Sequence, residues 1–299
     1  MDRLAAMRTF VEIVDRGSLT AAADALDRSQ PAVVRTLAAL EAHLGVVLLQ
    51  RTTRRMALTP EGREYLERAR RILADVEEAE QMVGAAEAAP RGHLRMTAPV
   101  QFGQLHLAPL LAAFLDRWPA VSVDLQLLDR VVNMVEEGID LSLRIGPLAD
   151  SSMIAVRVGE VRRVLCASPA FLARHGEPAD VEALEELPAI RLDSLTRTHW
   201  VLREDGRERN VSVSGRFGCN SIGAGVAACL AGVGVAQFLS YQVHEHLAAG
   251  RLVRLLEARE PEPWPVSLVY PTGRLMTARQ RALVDFLRDA LRRVEAVDP

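Results

Sequence analysis

The chain has 299 residues, which suits about one to three domains, and its 49% hydrophobic and 25% charged residues are typical of soluble globular proteins. No apolar run reaches the roughly 18 residues that cross a bilayer, and no secretory signal opens the sequence, so we expect a cytoplasmic protein with no membrane partner. The 3 cysteines lack zinc or CxxC spacing, so no metal or other cofactor is expected, and the net charge of −3 excludes a uniformly basic coat for nucleic acid.

Three short helices are predicted at the start of the chain. Residues 3–16 carry an apolar helical face that stops at Gly17, and residues 19–26 form a second helix rich in alanine. The third helix runs from Ser29 to Glu41 after a link of only two residues. A very short turn between the last two helices is typical of a helix-turn-helix.

The third helix has an apolar back and a polar front. Ser29 is placed to cap it, and Pro31 lies in the first turn, where its missing N–H costs nothing. Gln30 and Arg35 lie off the apolar stripe and suit the edges of adenine and guanine, since each side chain can make two hydrogen bonds at once. The apolar stripe consists of Val33, Leu37 and Leu40. The residues expected to face DNA here are Arg28, Ser29, Gln30, Pro31, Val34 and Arg35.

Two apolar stretches, 46–50 and 55–58, are predicted to pair as a small wing after Gly45. Its basic tip has no acidic neighbour before Glu61. The tip is either a solvated hairpin or a wing that contacts phosphates or the minor groove, and its place directly after a helix-turn-helix favours the second. The tip residues expected to contact DNA are Arg51, Thr52 and Arg54.

A long helix is predicted from Thr59-Pro60-Glu61 to about Ala89. Apolar residues recur along it every seven positions, which is typical of a seam between two subunits, although packing on its own domain would use the same pattern. A dimer would present two recognition helices to two half-sites of a twofold operator. The two apolar rows are Tyr65, Ile72, Ala79 and Ala86, and Leu66 with Leu73.

After Arg91 strands and helices alternate, which predicts a parallel sheet with helices on both faces. About 200 residues of this kind suit two α/β lobes with a cleft between them. The predicted strands are 93–98, 121–128, 140–145, 154–158, 161–167, 211–217, 233–238 and 266–270. The predicted helices are 102–118, 131–137, 168–175, 181–186, 221–230 and 277–294.

The sequence resembles the LysR-type transcriptional regulators of bacteria over nearly its whole length. The N-terminal motifs that carry the resemblance are Phe10-Val11-Glu12, Gly17-Ser18-Leu19-Thr20-Ala21-Ala22-Ala23, Ser29-Gln30-Pro31-Ala32-Val33, Leu40-Glu41, Leu44-Gly45, Arg51-Thr52-Thr53-Arg54 and Leu58-Thr59-Pro60-Glu61-Gly62. Looser similarity continues in Gly92-His93-Leu94-Arg95, Asp140-Leu141-Ser142-Leu143-Arg144-Ile145-Gly146 and Ala231-Gly232-Val233-Gly234-Val235-Ala236.

The resemblance implies an α/β protein with three parts. These are a winged helix-turn-helix (1–59), a dimerisation linker helix (60–89) and an effector-binding domain (90–299). The last part would have two Rossmann-like lobes, similar to type 2 periplasmic binding proteins. Lobe I would span about 90–162 and 267–299, and lobe II about 163–266.

The resemblance also implies the partners of the chain. These are double-stranded DNA, a small-molecule effector between the lobes, and further copies of the chain as a homodimer or a dimer of dimers. The last expected partner is RNA polymerase, with which the protein would interact or compete at the promoter. The sequence departs from the family pattern at Val34, where many members have serine, at Asn133, where aspartate is common, and at Gln237-Phe238-Leu239-Ser240.

The expected effector is a small organic anion. Two segments precede helices that would start at the cleft, and the N–H groups at a helix start favour anions. Phe102 would supply an apolar wall, Arg144 would be either a counter-charge or a brace of the sheet, and Gln237 would be a polar contact. The residues expected to bind the effector are Thr97, Ala98, Pro99, Val100, Gln101, Phe102, Arg144, Asn220, Ser221 and Gln237.

Three other patterns are weaker. His244 and His246 point apart on a helix, Cys219 and Cys229 lack the basic cluster of a reactive pair, and Gly232-Val233-Gly234 is not a full dinucleotide motif. No catalytic residue is predicted. An architectural DNA-binding protein without an effector, and an enzyme on a two-lobe α/β fold, remain the alternatives.

Overall fold

The chain divides into two units, Met1–Ala88 and Ala89–Pro299. A computed structural model describes residues 1–51, 56–84, 89–148, 153–192, 199–204, 206–272, 276–294 and 297. Within these ranges no helix combines the length and the apolar character that a membrane span needs.

The first unit begins with the three predicted helices, α1 (Arg3–Arg16), α2 (Leu19–Ala25) and α3 (Gln30–Leu44). Gly17 and Gly45 end α1 and α3 in the left-handed conformation, with φ of +64° and +72°. Glycine adopts this backbone without a steric penalty. Both helix ends are therefore fixed by local sequence.

The capping hydrogen bonds that the local sequence predicts form at some of these helix starts and not at others. The Ser18 hydroxyl accepts the Ala21 N–H and caps α2. Ser29 occupies the corresponding position before α3, but its side chain makes no capping hydrogen bond. The position predicted for Ser29 is correct and its hydrogen bond is not, so its hydroxyl is left exposed beside α3.

The core of the first unit lies between α1 and the apolar stripe of α3. Ala22 and Ala23 of α2 are buried in it, and their small side chains let the neighbouring helices approach closely. The core side chains of α1 and α3 are Phe10, Ile13, Val33, Leu37 and Leu40.

The wing consists of β1 (Leu49–Arg51) and β2 (Met56–Leu58), which pair antiparallel. The first strand starts later than the predicted 46–50. Val46 and Val47 lie outside it and are 40% and 57% exposed. Thr52 and Arg54, at the predicted tip, lie outside the described residues.

Helix α4 (Pro60–Gly84) follows Thr59, whose hydroxyl accepts the Gly62 N–H at 2.8 Å. Its two predicted apolar rows have different surroundings. Leu66 and Leu73 are buried, and Leu66 belongs to the core of the first unit, whereas Ile72 is 41% exposed. The helix was predicted to reach Ala89, and the structure describes it to Gly84. Packing on its own domain therefore involves both rows, because Tyr65 also packs on this core, with its ring 5.7 Å from that of Phe10.

The second unit begins with one lobe built on a five-stranded sheet of order β4-β3-β5-β14-β6. Its elements before the crossing to the second lobe are β3 (Gly92–Ala98), α5 (Val100–Phe102), a π-helical segment (Gly103–Leu107), α6 (Ala108–Arg117), β4 (Val121–Leu127), α7 (Met134–Glu137), β5 (Leu141–Ile145) and β6 (Met153–Val161).

The second lobe is built around a three-stranded sheet of order β12-β7-β13. Its elements are β7 (Arg163–Ala167), α8 (Pro169–His175), α9 (Val181–Glu185), β8 (Ile190–Arg191), β9 (His199–Glu204), β10 (Arg207–Ser212), β11 (Phe217–Gly218), α10 (Ile222–Leu230), β12 (Ala236–Leu239), α11 (Ser240–Ala248), β13 (Val253–Leu255) and a 3₁₀ turn (Glu257–Arg259). The chain then returns to the first lobe with β14 (Trp264–Pro271) and α12 (Ala278–Leu291).

The sheets are mixed, whereas the alternating pattern predicted parallel ones. Strand β3 is parallel to β4 and β5, but β14 is antiparallel to β5 and β6. In the second lobe β7 is antiparallel to both neighbours. Strand β14 starts at Trp264, so the chain re-enters the first sheet before the expected boundary at 267.

Several elements were missed or misplaced. The predicted strand 211–217 overlaps only the last two residues of β10, which starts at Arg207 and pairs with β9, and the first residue of β11. Helix α7 starts at Met134 rather than 131, because the Asn133 side chain accepts the N–H groups of the next turn. Helical structure after β3 begins at Val100 rather than Phe102. The predictions contained no counterpart of β8, β9, α11 or β13.

Candidate functional site

The exposed face of α3 carries the predicted base-reading residues. Gln30, Pro31 and Arg35 are exposed, and Val34 is half-buried. Among the described residues the Arg35 side chain makes no hydrogen bond or ion pair, so its guanidinium donors are available to a partner. Arg28 and Ser29, just before the helix, are exposed as well.

Glu41 joins the wing to the recognition helix, and sequence reasoning missed this role. Its Oε1 atom accepts the N–H groups of Leu48 at 2.8 Å and Leu49 at 3.2 Å. A carboxylate accepting two backbone N–H groups makes stronger bonds than a neutral acceptor would. The wing that ends in Arg51 is thereby held against α3, and Val34 lies in the groove between them with Val47.

The second unit contains a cavity of about 860 Å³ with walls from both lobes. The first lobe contributes the end of β3, the segment after β4 and most of β5, and the second lobe contributes β7, β8, β9 and β12. Of the ten predicted effector residues, those that line the cavity are Thr97, Ala98, Pro99, Val100, Arg144, Asn220 and Gln237.

Three predicted effector residues lie elsewhere. Phe102 is fully buried in the core, with its ring 5.1 Å from that of His106 and 5.0 Å from that of Tyr241. Gln101 is not part of the cavity wall, and its Oε1 atom is buried without a partner. Ser221 caps α10 by accepting the Ala224 N–H. The helical segment starts earlier than predicted, so Phe102 turns inward.

The two helix starts at the cavity differ in what they offer an anion. The Val100 N–H already donates to Oδ1 of Asp129 at 3.0 Å. A carboxylate of the protein therefore occupies the place that an anionic ligand was expected to take. At the start of α10, Asn220 and Ile222 line the cavity. The first N–H groups of any helix have no acceptor inside that helix.

Gln237 is a polar residue in an apolar strand, but its amide is not directed at a ligand. Its Nε2 donates to the Val201 carbonyl at 2.9 Å, and its Oε1 faces the Val201 N–H at 3.5 Å. The side chain thus ties β12 to β9. Its position on the cavity wall agrees with the sequence, and its polar group is engaged by backbone.

The arginines of the cavity wall differ in their partners. Arg130 makes two hydrogen bonds of 2.9 Å to Glu137, and this pairing lowers the pKa of the Glu137 carboxyl. Arg144 donates to the Val132 carbonyl at 2.9 Å, and Arg163 donates to Glu208 at 2.7 Å. Arg144 thus joins β5 to the segment after β4, and both of its predicted roles stay predictions. Arg191 also lines the cavity.

The cysteines are arranged differently from the pair considered in the sequence. The Cys229 thiol contacts the carbonyl of Cys166 at 3.3 Å, and the Cys219 thiol contacts that of Ser221 at 3.3 Å. Burial raises the pKa of Cys229 to about 12. A thiol that stays protonated is a poor nucleophile, so neither geometry nor acidity supports a switch between Cys219 and Cys229.

Comparison with known proteins agrees with this two-unit arrangement. Residues 4–63 match the family model described as "Bacterial regulatory helix-turn-helix protein, lysR family", and residues 87–292 match the "LysR substrate binding domain". An HTH-type transcriptional repressor of Pseudomonas aeruginosa is 36% identical over 293 residues, covering 97% of this chain and 92% of the relative.

Two solved structures extend the similarity to the whole chain. CrgA, a LysR-type transcriptional regulator from Neisseria meningitidis, has 31% identity and a TM-score of 0.62, covering 96% of this chain and 98% of its own. The Vibrio cholerae virulence activator AphB has 25% identity and a TM-score of 0.60, covering 95% and 98%. These relatives are regulators, which excludes the enzyme alternative. The chain belongs to the LysR family of transcriptional regulators, with a helix-turn-helix unit and a substrate-binding regulatory unit.

Proposed function

We propose that this regulator binds a twofold operator as a homo-oligomer and that a small organic anion in the cavity of the second unit changes its affinity for DNA. The observation that carries the proposal is a cavity with walls from both lobes and four arginines among its lining residues. A ligand there contacts both lobes at once. It can shift the protein between two states only if it binds them with different affinity, and a ligand in contact with both lobes would favour the state whose lobe spacing suits it.

The DNA side of the proposal rests on α3 and the wing. Gln30 and Arg35 would read base edges, Pro31 would contact a thymine methyl, and Arg28 and Ser29 would hold phosphates. The wing tip residues Arg51, Thr52 and Arg54 would contact phosphates or enter the minor groove. Val34 would influence the choice of operator from its half-buried position on α3.

Dimerisation would use the exposed surface of α4 around Ile72. Ile72 is exposed on α4, while Leu66 and Leu73 are buried. We propose that residues 60–89 form the linker helix between the DNA-binding part (1–59) and the effector-binding part (90–299). Because a regulator must meet the chromosome, we also propose that it acts in the cytoplasm, where it would compete or cooperate with RNA polymerase at the promoter.

Binding to an operator fragment selected from genomic DNA tests the DNA contacts. Arg35→Ala should cost about 1–3 kcal/mol on the selected fragment and relax specificity at one base, whereas Arg51→Ala should weaken selected and scrambled DNA alike and flatten the salt dependence. Arg68→Ala removes a charge from α4, where Arg68 pairs with Glu64, and serves as the control. Wild-type binding by both test variants across a salt titration would refute the assignment.

Footprinting with and without organic acids tests the effector part. A regulator of the proposed kind should change its footprint or affinity when an acid binds. An architectural protein with no effector would give the same footprint under all conditions. Binding of acids without any change at the operator would therefore favour that alternative.

A further inference from the structure

The four cavity arginines differ in how much of their hydrogen-bonding capacity the protein already uses. We propose that Arg191, assisted by Arg163, binds the acid group of the effector, and that the effector is a monoanion with an apolar body. This assignment rests on the proposed function, because it names the ligand class and the anchoring residue of the same cavity.

Arg191 is the cavity arginine with no partner among the described residues. Its guanidinium makes no hydrogen bond or ion pair there, and its Nε atom is buried. A buried donor without an acceptor is unfavourable, so native proteins rarely leave one unless a ligand or water completes it. An acid group placed against the Arg191 guanidinium would neutralise its charge.

Arg163 supplies a second donor at the same wall. Its side chain is only 9% exposed, and its Nε is also buried without an acceptor, although its terminal nitrogen binds Glu208. The guanidinium lies over the Trp264 ring at 4.7 Å, which holds its plane. Two buried Nε donors without acceptors thus lie on one wall of the same cavity. One such donor would be an isolated exception, whereas two together indicate a ligand site.

The sheet register places both arginines on the same face. Arg163 of β7 pairs with Leu239 of β12. On the other side of β12, Ala189 pairs with Val235, and Arg191 follows Ala189 by two residues. Because side chains alternate along a strand, Arg163 and Arg191 both lie on the face of Gln237. Strand β12 lies between them, so one ligand can approach both.

The other basic groups of the cavity are less available. Arg130 is occupied by Glu137 through two hydrogen bonds, and Arg144 is tied to the Val132 carbonyl. The Val100 N–H is bound to Asp129. Among the residues that the structure describes, the cavity arginine with the fewest partners is thus on the second lobe, whereas the sequence pointed to Arg144 on the first.

The chemistry of the remaining wall defines the ligand class. Apolar side chains of both lobes line the cavity together with the arginines, so the body of the ligand would be apolar. The carboxylate of Asp129 is part of the first-lobe wall and would repel a second acid group. A monoanion therefore fits better than a diacid. The apolar lining includes Leu192, Val213, Ile222, Phe238, Val100, Leu128 and Val132.

The test uses matched sets of small acids with the full-length protein. Benzoate, phenylacetate and hexanoate are compared by thermal shift and calorimetry with their neutral amides and with the diacids phthalate and adipate. The expected result is that monoacids stabilise the wild type more than amides or diacids do. Equal stabilisation by the amides, stronger binding of the diacids, or no response to any of the monoacids would overturn the ligand class.

Variants of Arg191 test the anchor separately. Arg191→Gln should weaken the binding of the monoacids about 10- to 100-fold, which corresponds to losing a hydrogen bond to a charged group. Arg191→Lys keeps the charge without the Nε donor and should lose part of the affinity. Arg216→Gln changes an exposed arginine of the second lobe outside the cavity and should bind like wild type.

The outcomes separate the anchor from the proposed function. If monoacids bind Arg191→Gln as well as wild type, the anchor is wrong and the effector function stands. If acids bind in an Arg191-dependent way but leave the operator affinity unchanged, the anchor stands and the effector function fails. Circular dichroism and the ligand-free melting temperature identify a variant that does not fold, in which case Arg191→Lys decides.

Discussion

Replacing Glu41 should release the wing from the recognition helix. Its Oε1 atom accepts the N–H groups of Leu48 and Leu49, at 2.8 and 3.2 Å, and both of these residues are buried. In Glu41→Ala neither N–H keeps this acceptor. The free energy of unfolding of the first unit should fall, and the basic end of β1 should lose its fixed position beside α3.

The magnitude follows from the two bonds. A hydrogen bond to a charged group contributes about 1.5–3 kcal/mol, and a buried donor left without an acceptor costs about 1–3 kcal/mol. The two bonds share one oxygen, and Glu41 is only half-buried, so they do not add fully. We expect Glu41→Ala to destabilise the first unit by about 2–4 kcal/mol. Glu41→Gln keeps an uncharged acceptor and should lose about half as much.

Hydrogen exchange is the direct assay, because it reports the amides of Leu48 and Leu49 themselves. These amides should exchange faster in Glu41→Ala, and operator affinity should fall. The tryptophans, Trp118, Trp200 and Trp264, all belong to the second unit. Their fluorescence therefore reports the unfolding of that unit, which should be the same in Glu41→Ala as in the wild type. Glu67→Ala, at an exposed position of α4, is the control. Unchanged exchange with a stability loss below about 0.5 kcal/mol would refute the role of Glu41.

Three further predictions concern single positions. A Cβ at Gly62 would lie 2.1 Å from the Leu48 carbonyl oxygen, so Gly62→Ala should destabilise the first unit by about 1–3 kcal/mol in denaturant titrations. Gly223→Ala is the control, because its Cβ would make only an ordinary contact of 4.0 Å with Ser221 Oγ. Burial lowers the pKa of His106, so the unfolded chain binds the proton more readily than the folded chain does. The free energy of unfolding should therefore fall as the pH drops below about 6.5. His106→Phe, with His244 and Glu245 unchanged, should reduce this dependence of stability on pH. Burial raises the pKa of Tyr241 to about 12, so stability should fall as the pH rises from about 10 to 12, and Tyr241→Phe should remove the late step of a phenolate absorbance titration.

The helix-turn-helix could be predicted from sequence because its signals are local. Gly17 and Gly45 end α1 and α3 in the left-handed conformation that glycine adopts easily. The apolar stripe of α3 follows from the helical period alone. Glu41 shows the limit of this approach. Its acceptor role depends on N–H groups that reach it only after the chain has turned back past Gly45, and no periodicity records that approach.

The regulatory unit was harder to predict because its decisive contacts join residues far apart in sequence. Whether β14 runs parallel or antiparallel depends on its return from the second lobe. Gln237 looked like a ligand contact because it interrupts an apolar strand, but its partner is the backbone of Val201. Phe102 faces Tyr241 of α11, a helix that the sequence pattern did not show. Each error has the same physical origin, a non-local partner.

Helix α11 packs on both lobes and lines the cavity, so a ligand there would act on both lobes. Tyr241 packs into the core of the first lobe, while Val243 packs into the core of the second. Between them Gln242 lines the cavity and donates to the Tyr241 hydroxyl at 3.2 Å. A change in the spacing of the lobes must therefore strain or repack this helix. A ligand anchored at Arg191, as proposed, and in contact with the first-lobe wall would favour one spacing of the lobes over others, and differential affinity of this kind is what allosteric control requires.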